Sequence, residues 1–411
     1  MNIQTTSFKH CSVPPVQSKG FVCVLDVGTT GIKAFVFDEH LSVRAKAYQK
    51  IKKVSPKNGW VEQDPQEILR VSKQVLKRAV QDSGVKTRMI KAVGITNQRE
   101  ATMLWDQKTG KPVYPVIGWE DTRTRAHCVS LRKTFQDDVR KQTGLSIDPY
   151  FSASKIQWIL SNVDRAKRLL ENNQLLFGTL DTWLLWNLCE GRPHQTDQTN
   201  ASRTLLFDIQ RKTWSQELLE LFAIPASILP TVVSPRSRFG VINKELLGVR
   251  IPVLAVCGDQ QASTYAAMRA QPTSRQSVTK VTYGTGVFLS QVIGKTFKLQ
   301  KSFFTTLVPA VGKGVSFALE AKVEGSGKGV DKVLGDVPKM LRFFSRLVKK
   351  VDGLIQQLPT KPKDIVVDGG IARDGYIVEI QQEQTKIPAC LQSTYDGTAL
   401  GCALLVWDQV D

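Results

Sequence analysis

The sequence predicts an α/β protein built from two similar domains that share a cleft. Apolar runs with strand character alternate with stretches of helical period, the pattern of an α/β chain. A strand, a Gly-Thr turn and a second strand occur together twice, at 21–38 and at 279–292. The 411 residues, 42% of them hydrophobic, suffice for two cores of ordinary size.

In order along the chain, "FVCVLD" and "AFVFD" read as strands joined by Gly-Thr-Thr-Gly. "PQEILRVSKQVLKRAVQDSG" places Ile68, Val71, Val75, Leu76 and Ala79 near one helical face, with Leu69 and Val80 at its edges. Asp64 is its N-cap and Pro65 its first helical residue. "IKAVGITNQ" is a buried strand running into a polar turn, and "TLDTWLLWNLCEG" an apolar helix ending near Gly191. The second series starts near residue 252. It comprises "PVLAVCGDQQASTYAAM" (strand, Gly-Asp corner, helix), "VTKVTYGTGVFLSQV" (strand, turn, strand), "DIVVDGGIARDGYIVEIQQ" (strand, Gly-Gly turn, helix) and the small-residue helix "GTALGCALLVW". Before these last two, "PKMLRFFSRLVKKVDGLIQQL" keeps a 3.6-residue period at Phe344, Leu347, Val348, Val351, Leu354, Ile355 and Leu358.

Composition narrows the function classes. No apolar run is long enough to span a membrane. Residues 1–18 carry no apolar block and no cleavage-like site, so they read as a loose tail and not as a secretory signal. The seven cysteines form no CxxC pair, and Cys23 and Cys257 lie within apolar runs; reduced, buried thiols in the cytoplasm are expected. The four histidines form no ligand-like pair, which argues against a His-based metal centre. The net charge of +19 raises nucleic acid as a partner. Its densest stretch, Lys322 to Lys363, has ten basic residues against four acids, with few aromatics and no recognition motif. A solvated basic surface, or a polyanionic small substrate, fits it better than specific nucleic-acid binding.

The two hairpins suit a phosphate chain. Glycine lets backbone N–H groups approach an anion closely, and threonine hydroxyls add donors. Gly28, Thr29, Thr30 and Gly31, with Gly284, Thr285 and Gly286 in the second copy, could cradle phosphates, and Lys33 can add a positive charge. This is not a P-loop, since GxxxxGK[ST] is absent and a strand follows the turn. Either hairpin alone is better read as an ordinary turn; the repetition, with aspartates nearby, reverses that. Asp26 and Asp259 end strands, where a carboxylate can hold Mg²⁺ or accept a proton. For an isolated "GD", a helix N-cap is the plainer reading of Asp259. "GITNQRE" at 94–100 gathers a cation, a carboxylate and two amides, a set suited to a polyhydroxylated molecule, although a polar surface loop would look alike.

In order, "LDVGTTGIKAFVFD", "GITNQREATMLWD", "TGLSIDPYFSASKIQWIL", "FGTLDTWLLWNL", "TDQTNASRTLLFDI", "CGDQQAS", "YGTGVFL" and "VDGGIARDGY" make the chain resemble the FGGY carbohydrate kinases, and within them the glycerol-kinase branch. The resemblance covers nearly everything beyond the tail. It implies two actin-like (ribonuclease-H-like) domains around a central cleft, here 19–258 and a shortened 259–411. It implies transfer of the ATP γ-phosphoryl group to glycerol with Mg²⁺. By motif, Arg99, Glu100, Tyr150, Asp259 and Gln260 match polyol-binding positions, with Asp259 the general base. Trp119 and Phe288 match apolar walls. Asp26, Thr29, Thr30, Lys33, Gly284 and Thr285, together with Gly28 of the first turn, match the phosphate side, and Gly370 and Asp374 the adenosine side. Asp26 and Asp259 are the candidate metal ligands. A homo-oligomer is expected.

Three positions depart from the family pattern. Glu120 stands where Gln is usual. Asp374-Gly375 replaces an Asn-rich pair. The stretch between "ALE" and "DGG" is short, and the family's helices after "GTALGCALLVW" do not follow. The polyol side is therefore expected intact and the nucleotide side reduced. Another FGGY polyol or sugar kinase, a polyol-binding pseudokinase and a basic nucleic-acid-binding protein stand as alternatives.

Overall fold

A computed structural model describes residues 10–271, 277–284, 286–323, 336–392 and 396–410. The chain forms two compact units, one from residues 15–262 and 402–411, the other from 1–14 and 263–401. This differs from the expected division after residue 258. The boundary falls inside the helix Asp259–Ala270, so Asp259 and Gln260 belong to the first unit, and the chain's last turns return there.

The first unit is built on a six-stranded sheet. Its strands run in the order Gly240–Ile242, Ile251–Gly258, Ile90–Asn97, Phe21–Val27, Gly31–Asp38, Val43–Lys50. The hairpin 21–38 is antiparallel, whereas Ile90–Asn97 runs parallel to Phe21–Val27 and to Ile251–Gly258. These strands are nearly continuous apolar runs because both faces are covered. One cover is the helix Pro65–Asp82, where Asp64 caps the Gln66 N–H and Pro65 opens the helix. Ile68, Leu69, Val71, Val75, Leu76, Ala79 and Val80 are all buried, each large aliphatic among them stabilising by about 1.5–3 kcal/mol. A second helix, Leu180–Leu188, is mostly apolar and buried on nearly every side, its buried Asp181 satisfied by the Thr179 and Thr196 hydroxyls. Its Trp183 packs edge-on against Trp105 in the same core.

The second unit repeats the plan on seven strands. Their order is His10–Cys11, Ala389–Gln392, Ile365–Asp368, Thr279–Tyr283, Val287–Gly294, Val315–Val323, Phe304–Pro309. Again a hairpin (279–294) is antiparallel, and the strand reached through a helix, Ile365–Asp368, lies parallel beside the hairpin's first strand. That helix, Val337–Ile355, is capped by Asp336 and buries Phe344, Leu347, Val348, Val351 and Ile355, with Leu354 half-buried; Leu358 beyond its end is also buried. Lys339, Arg342, Arg346, Lys349 and Lys350 are exposed on the opposite side.

Two expectations are corrected. The segment read as a loose tail contributes the strand His10–Cys11, paired parallel with Leu391 and Gln392. Farther along it, Ser18 donates to the Val410 carbonyl. The thiols are not all reduced: Cys11 and Cys390 form a disulfide between neighbouring strands, with Cα atoms 5.9 Å apart. Their separation of 379 positions hid the pairing, since only sheet order brings them together. Cys23, Cys128, Cys189, Cys257 and Cys402 are free and buried. No described helix is long and apolar enough to cross a membrane.

Candidate active site

The candidate site of the first unit grows from the ends of three adjacent strands. Phe21–Val27 delivers Asp26 and the turn 28–30, Ile90–Asn97 runs into Gln98, Arg99 and Glu100, and Ile251–Gly258 delivers Asp259 and Gln260. The register pairs Val27 with Asn97 and Asn97 with Gly258, so the three ends are level.

At the centre, Arg99 Nε lies 3.3 Å from Asp259 Oδ1 and 3.9 Å from Glu100 Oε1. Arg99 and Glu100 are buried, while 28% of the Asp259 side chain is exposed. Burial pushes the Asp259 carboxyl up to about 6; Arg99 opposes this, and the charges of Glu100 and Asp26 reinforce it. A carboxylate held near neutrality beside an opening can take up a proton. Asp259 also accepts from the Gln260 N–H at 2.7 Å, so it opens its helix as well. Gly258 is required by close approach: a Cβ there would lie 2.9 Å from the Arg99 Cγ and Cδ.

Glu100 has φ of 62°, a left-handed backbone that a non-glycine residue adopts only when held. The Arg203 Nε donates to its carboxylate at 2.6 Å. Its carbonyl accepts from the Lys155 ammonium at 3.1 Å, the Thr102 hydroxyl at 3.2 Å and the Ser152 hydroxyl at 3.3 Å. The same ammonium donates to the Tyr150 carbonyl at 2.9 Å. Tyr150 packs edge-on against Trp119, ring centroids 5.6 Å apart, and Trp119 Nε1 donates to Thr29 Oγ1 at 3.0 Å. Thus the aromatic pair and the first hairpin turn form one assembly. Gln63 secures that turn by donating to the Thr29 carbonyl, and Gln98 in turn donates to Gln63. Gly28 N–H closes the turn onto the Gly31 carbonyl, and Thr30 is exposed at its tip. Lys33 lies 3.8 Å from Asp26.

In the second unit the Gly284 N–H closes onto the Gly286 carbonyl. The Phe288 ring lies over this turn, where a Cβ on Gly286 would meet it at 2.7 Å. Thr285 lies outside the described residues. Gly370 and Asp374 are exposed around one short 3₁₀ turn. Beneath, the buried Lys280 donates to the Ser263 hydroxyl at 2.6 Å and lies 3.5 Å from Asp368. The preceding Gly369 has φ of 99° and abuts the Tyr283 backbone, which leaves no room for a side chain.

Sequence reasoning missed Gln63, Lys155 and Arg203, whereas Gln98 is one of the two amides of the "GITNQRE" cluster. Lys155 and Arg203 stood within quoted motifs, "FSASKIQWIL" and "NASRTLLF", but nothing in spacing said that they would converge on Glu100. Glu120 pairs with Lys53 at 2.6 Å. Among the described residues no three His, Cys, Asp or Glu side chains form a metal cluster. Two carboxylates that feel each other's charge do fit Mg²⁺, which takes one or two protein carboxylates and draws its other ligands from phosphates and water.

The description "FGGY family of carbohydrate kinases, N-terminal domain" matches residues 21–266, more than half of the chain. The chain belongs to the FGGY family of carbohydrate kinases. It is similar to glycerol kinase 2 of Thermotoga maritima, with 43% identity over 312 residues, 75% of this chain and 62% of the relative. It is also similar to glycerol kinase of Koribacter versatilis, with 40% identity over 353 residues, 85% of this chain and 68% of the relative. The chain spans about 62% of the length of several such relatives. In fold it is similar to glycerol kinase of Plasmodium falciparum solved with ADP, at a TM-score of 0.86 and 24% identity, covering 96% of this chain and 90% of that one. Both units are therefore actin-like α/β domains.

Proposed function

We propose that the chain transfers the γ-phosphoryl group of ATP to a terminal hydroxyl of glycerol. The observation that carries this reading is the Arg99–Asp259 pair beside Glu100, with the Asp259 carboxyl held at about 6. Similarity to proteins named glycerol kinase supports the choice of polyol. Arg99, Glu100, Tyr150 and Gln260 orient the hydroxyls, since charged and amide groups both hold and align them. By motif, Trp119 and Phe288 are assigned to the carbon backbone. Asp259 accepts the proton of the attacking hydroxyl as its oxygen bonds to the γ-phosphorus. The bond from that phosphorus to the β,γ-bridging oxygen breaks, and ADP leaves. General-base help of this kind contributes about 10²–10⁴-fold.

Gly28, Thr29, Thr30, Lys33, Gly284 and Thr285 are assigned to the phosphates, and Gly370 and Asp374 to the adenosine. Asp26 and Asp259 are the residues that would hold Mg²⁺, which when bound neutralises phosphate charge. Glu120 is engaged by Lys53, which supports leaving it out of polyol selection. We further propose a cytoplasmic homo-oligomer without a specific nucleic-acid partner. Phosphorus NMR of a reaction containing glycerol and Mg-ATP tests the reading. A phosphomonoester signal matching glycerol 3-phosphate is expected, growing in step with ADP. ADP without that ester, or neither, contradicts it.

A further inference from the structure

The geometry points to Lys155 as a positioning residue that locks Glu100 and Tyr150 into one polyol-binding edge. The inference deepens the proposed function and rests on it for the identity of the ligand.

Lys155 lies on the helix Ser152–Asn162 and is fully buried. A buried lysine normally neutralises a carboxylate, because an unpaired ammonium is costly away from water. Here the ammonium is spent on two backbone carbonyls, those of Glu100 at 3.1 Å and Tyr150 at 2.9 Å. These residues are 50 positions apart, and both carry side chains assigned to the polyol. Glu100 is also the one that needs holding, because its left-handed backbone is strained. Arg203 fixes its carboxylate, while Lys155, Thr102 and Ser152 fix its carbonyl. Arg203 also lies over the Tyr150 ring, 5.7 Å from its centroid, so it links the two side chains, whereas the lysine joins their backbones by hydrogen bonds to both carbonyls. The helix that carries it is anchored by the Ala153 N–H to the Thr204 carbonyl, next to Arg203. Burial lowers the lysine to about 8, so it is charged at neutral pH and its hydrogen bonds are the stronger charge-assisted kind.

The test compares Lys155→Met and Lys155→Gln with the parent chain. Lys155→Met, of similar length and without donors, should raise the Kd and KM for glycerol about tenfold or more and leave the KM for ATP within about twofold. Lys155→Gln keeps one donor and should fall between; it carries the test if the methionine variant does not fold. A lysine that merely stabilised the fold would lower the yield or Tm and leave the glycerol-to-ATP split unmoved, and an unchanged glycerol Kd in a folded variant overturns the proposal. Ligand-free crystal structures keep the two readings apart. If the parent chain does not bind glycerol, the proposed function fails, yet the clamp still predicts that Glu100 leaves φ near 60° and Tyr150 shifts in the variant. Retention of both positions overturns the clamp whatever the substrate.

Discussion

The two units share a hairpin flanked by two parallel strands, differ at their sheet edges, and differ most in what is inserted between those two parallel strands. In the second unit, Ile365–Asp368 reaches Ala389–Gln392 through the helix Tyr376–Thr385 and little else. In the first unit the path from Ile90–Asn97 to Ile251–Gly258 takes in residues 98–250, and these supply Arg99, Glu100, Trp119, Tyr150, Lys155 and Arg203. The sheet sets three strand ends level, and the insertion then places side chains against them. Consequently the first unit holds a cross-braced polar site, whereas the second offers a turn, an exposed 3₁₀ segment and a buried Lys280–Asp368 pair. The proposed function therefore assigns recognition of a small polyol to the first unit, and four variants and profiles bear on that assignment.

The largest effect is expected from Asp259→Asn, which removes the base and keeps the shape. A kcat lower by about 10² or more with a nearly unchanged glycerol Kd is predicted. Single-turnover rates equal to the parent would remove Asp259 from that role. Arg99→Ala comes next: it should raise the KM for glycerol about 10–100-fold and the KM for ATP little. Equal effects on both substrates would make the cluster a structural one.

The pH profile is a third check. The base acts only when ionised, so below the Asp259 value of about 6 the glycerol kcat/KM should fall about tenfold per pH unit and above it level off. The folded-state carboxyl is raised, so between about pH 4 and 6 the native form keeps a proton that the unfolded chain gives up. This group's contribution to stability is thus full below about 4 and is lost as pH rises through 6. A profile flat from pH 5 to 8 would contradict the assignment. The smallest effect concerns the second unit. Under oxidising conditions Cys11→Ser should lower Tm by roughly 5 °C, a difference that dithiothreitol abolishes. Seven titratable thiols in the unfolded, unreduced protein would show that the Cys11–Cys390 bond does not form.

What the sequence made legible follows from locality. The helix Pro65–Asp82 was readable because its cap, its proline and its buried face all lie within a few turns of one another. Both Gly-Thr hairpins were readable for the same reason. The site residues were named from motifs, but their connections were not: Trp119 reaches Thr29 across 90 positions, and Arg203 reaches Glu100 across 103. The strand His10–Cys11 was missed because two residues carry no period, and only the edge left by Ala389–Gln392 makes them a strand. "CGD" marks the end of a strand, as found, whereas the division into compact units falls four residues on, inside the helix Asp259–Ala270, a feature no local pattern carries.

Whether polyol selection in the proposed kinase reaction resides in the first unit is decided by coupled ADP release over glycerol, erythritol, xylulose and ribulose with Mg-ATP. Release should depend on glycerol and be at least tenfold slower with each of the others. Equal rates across the panel, release that needs no acceptor, or release driven by a pentulose and not by glycerol would contradict that assignment.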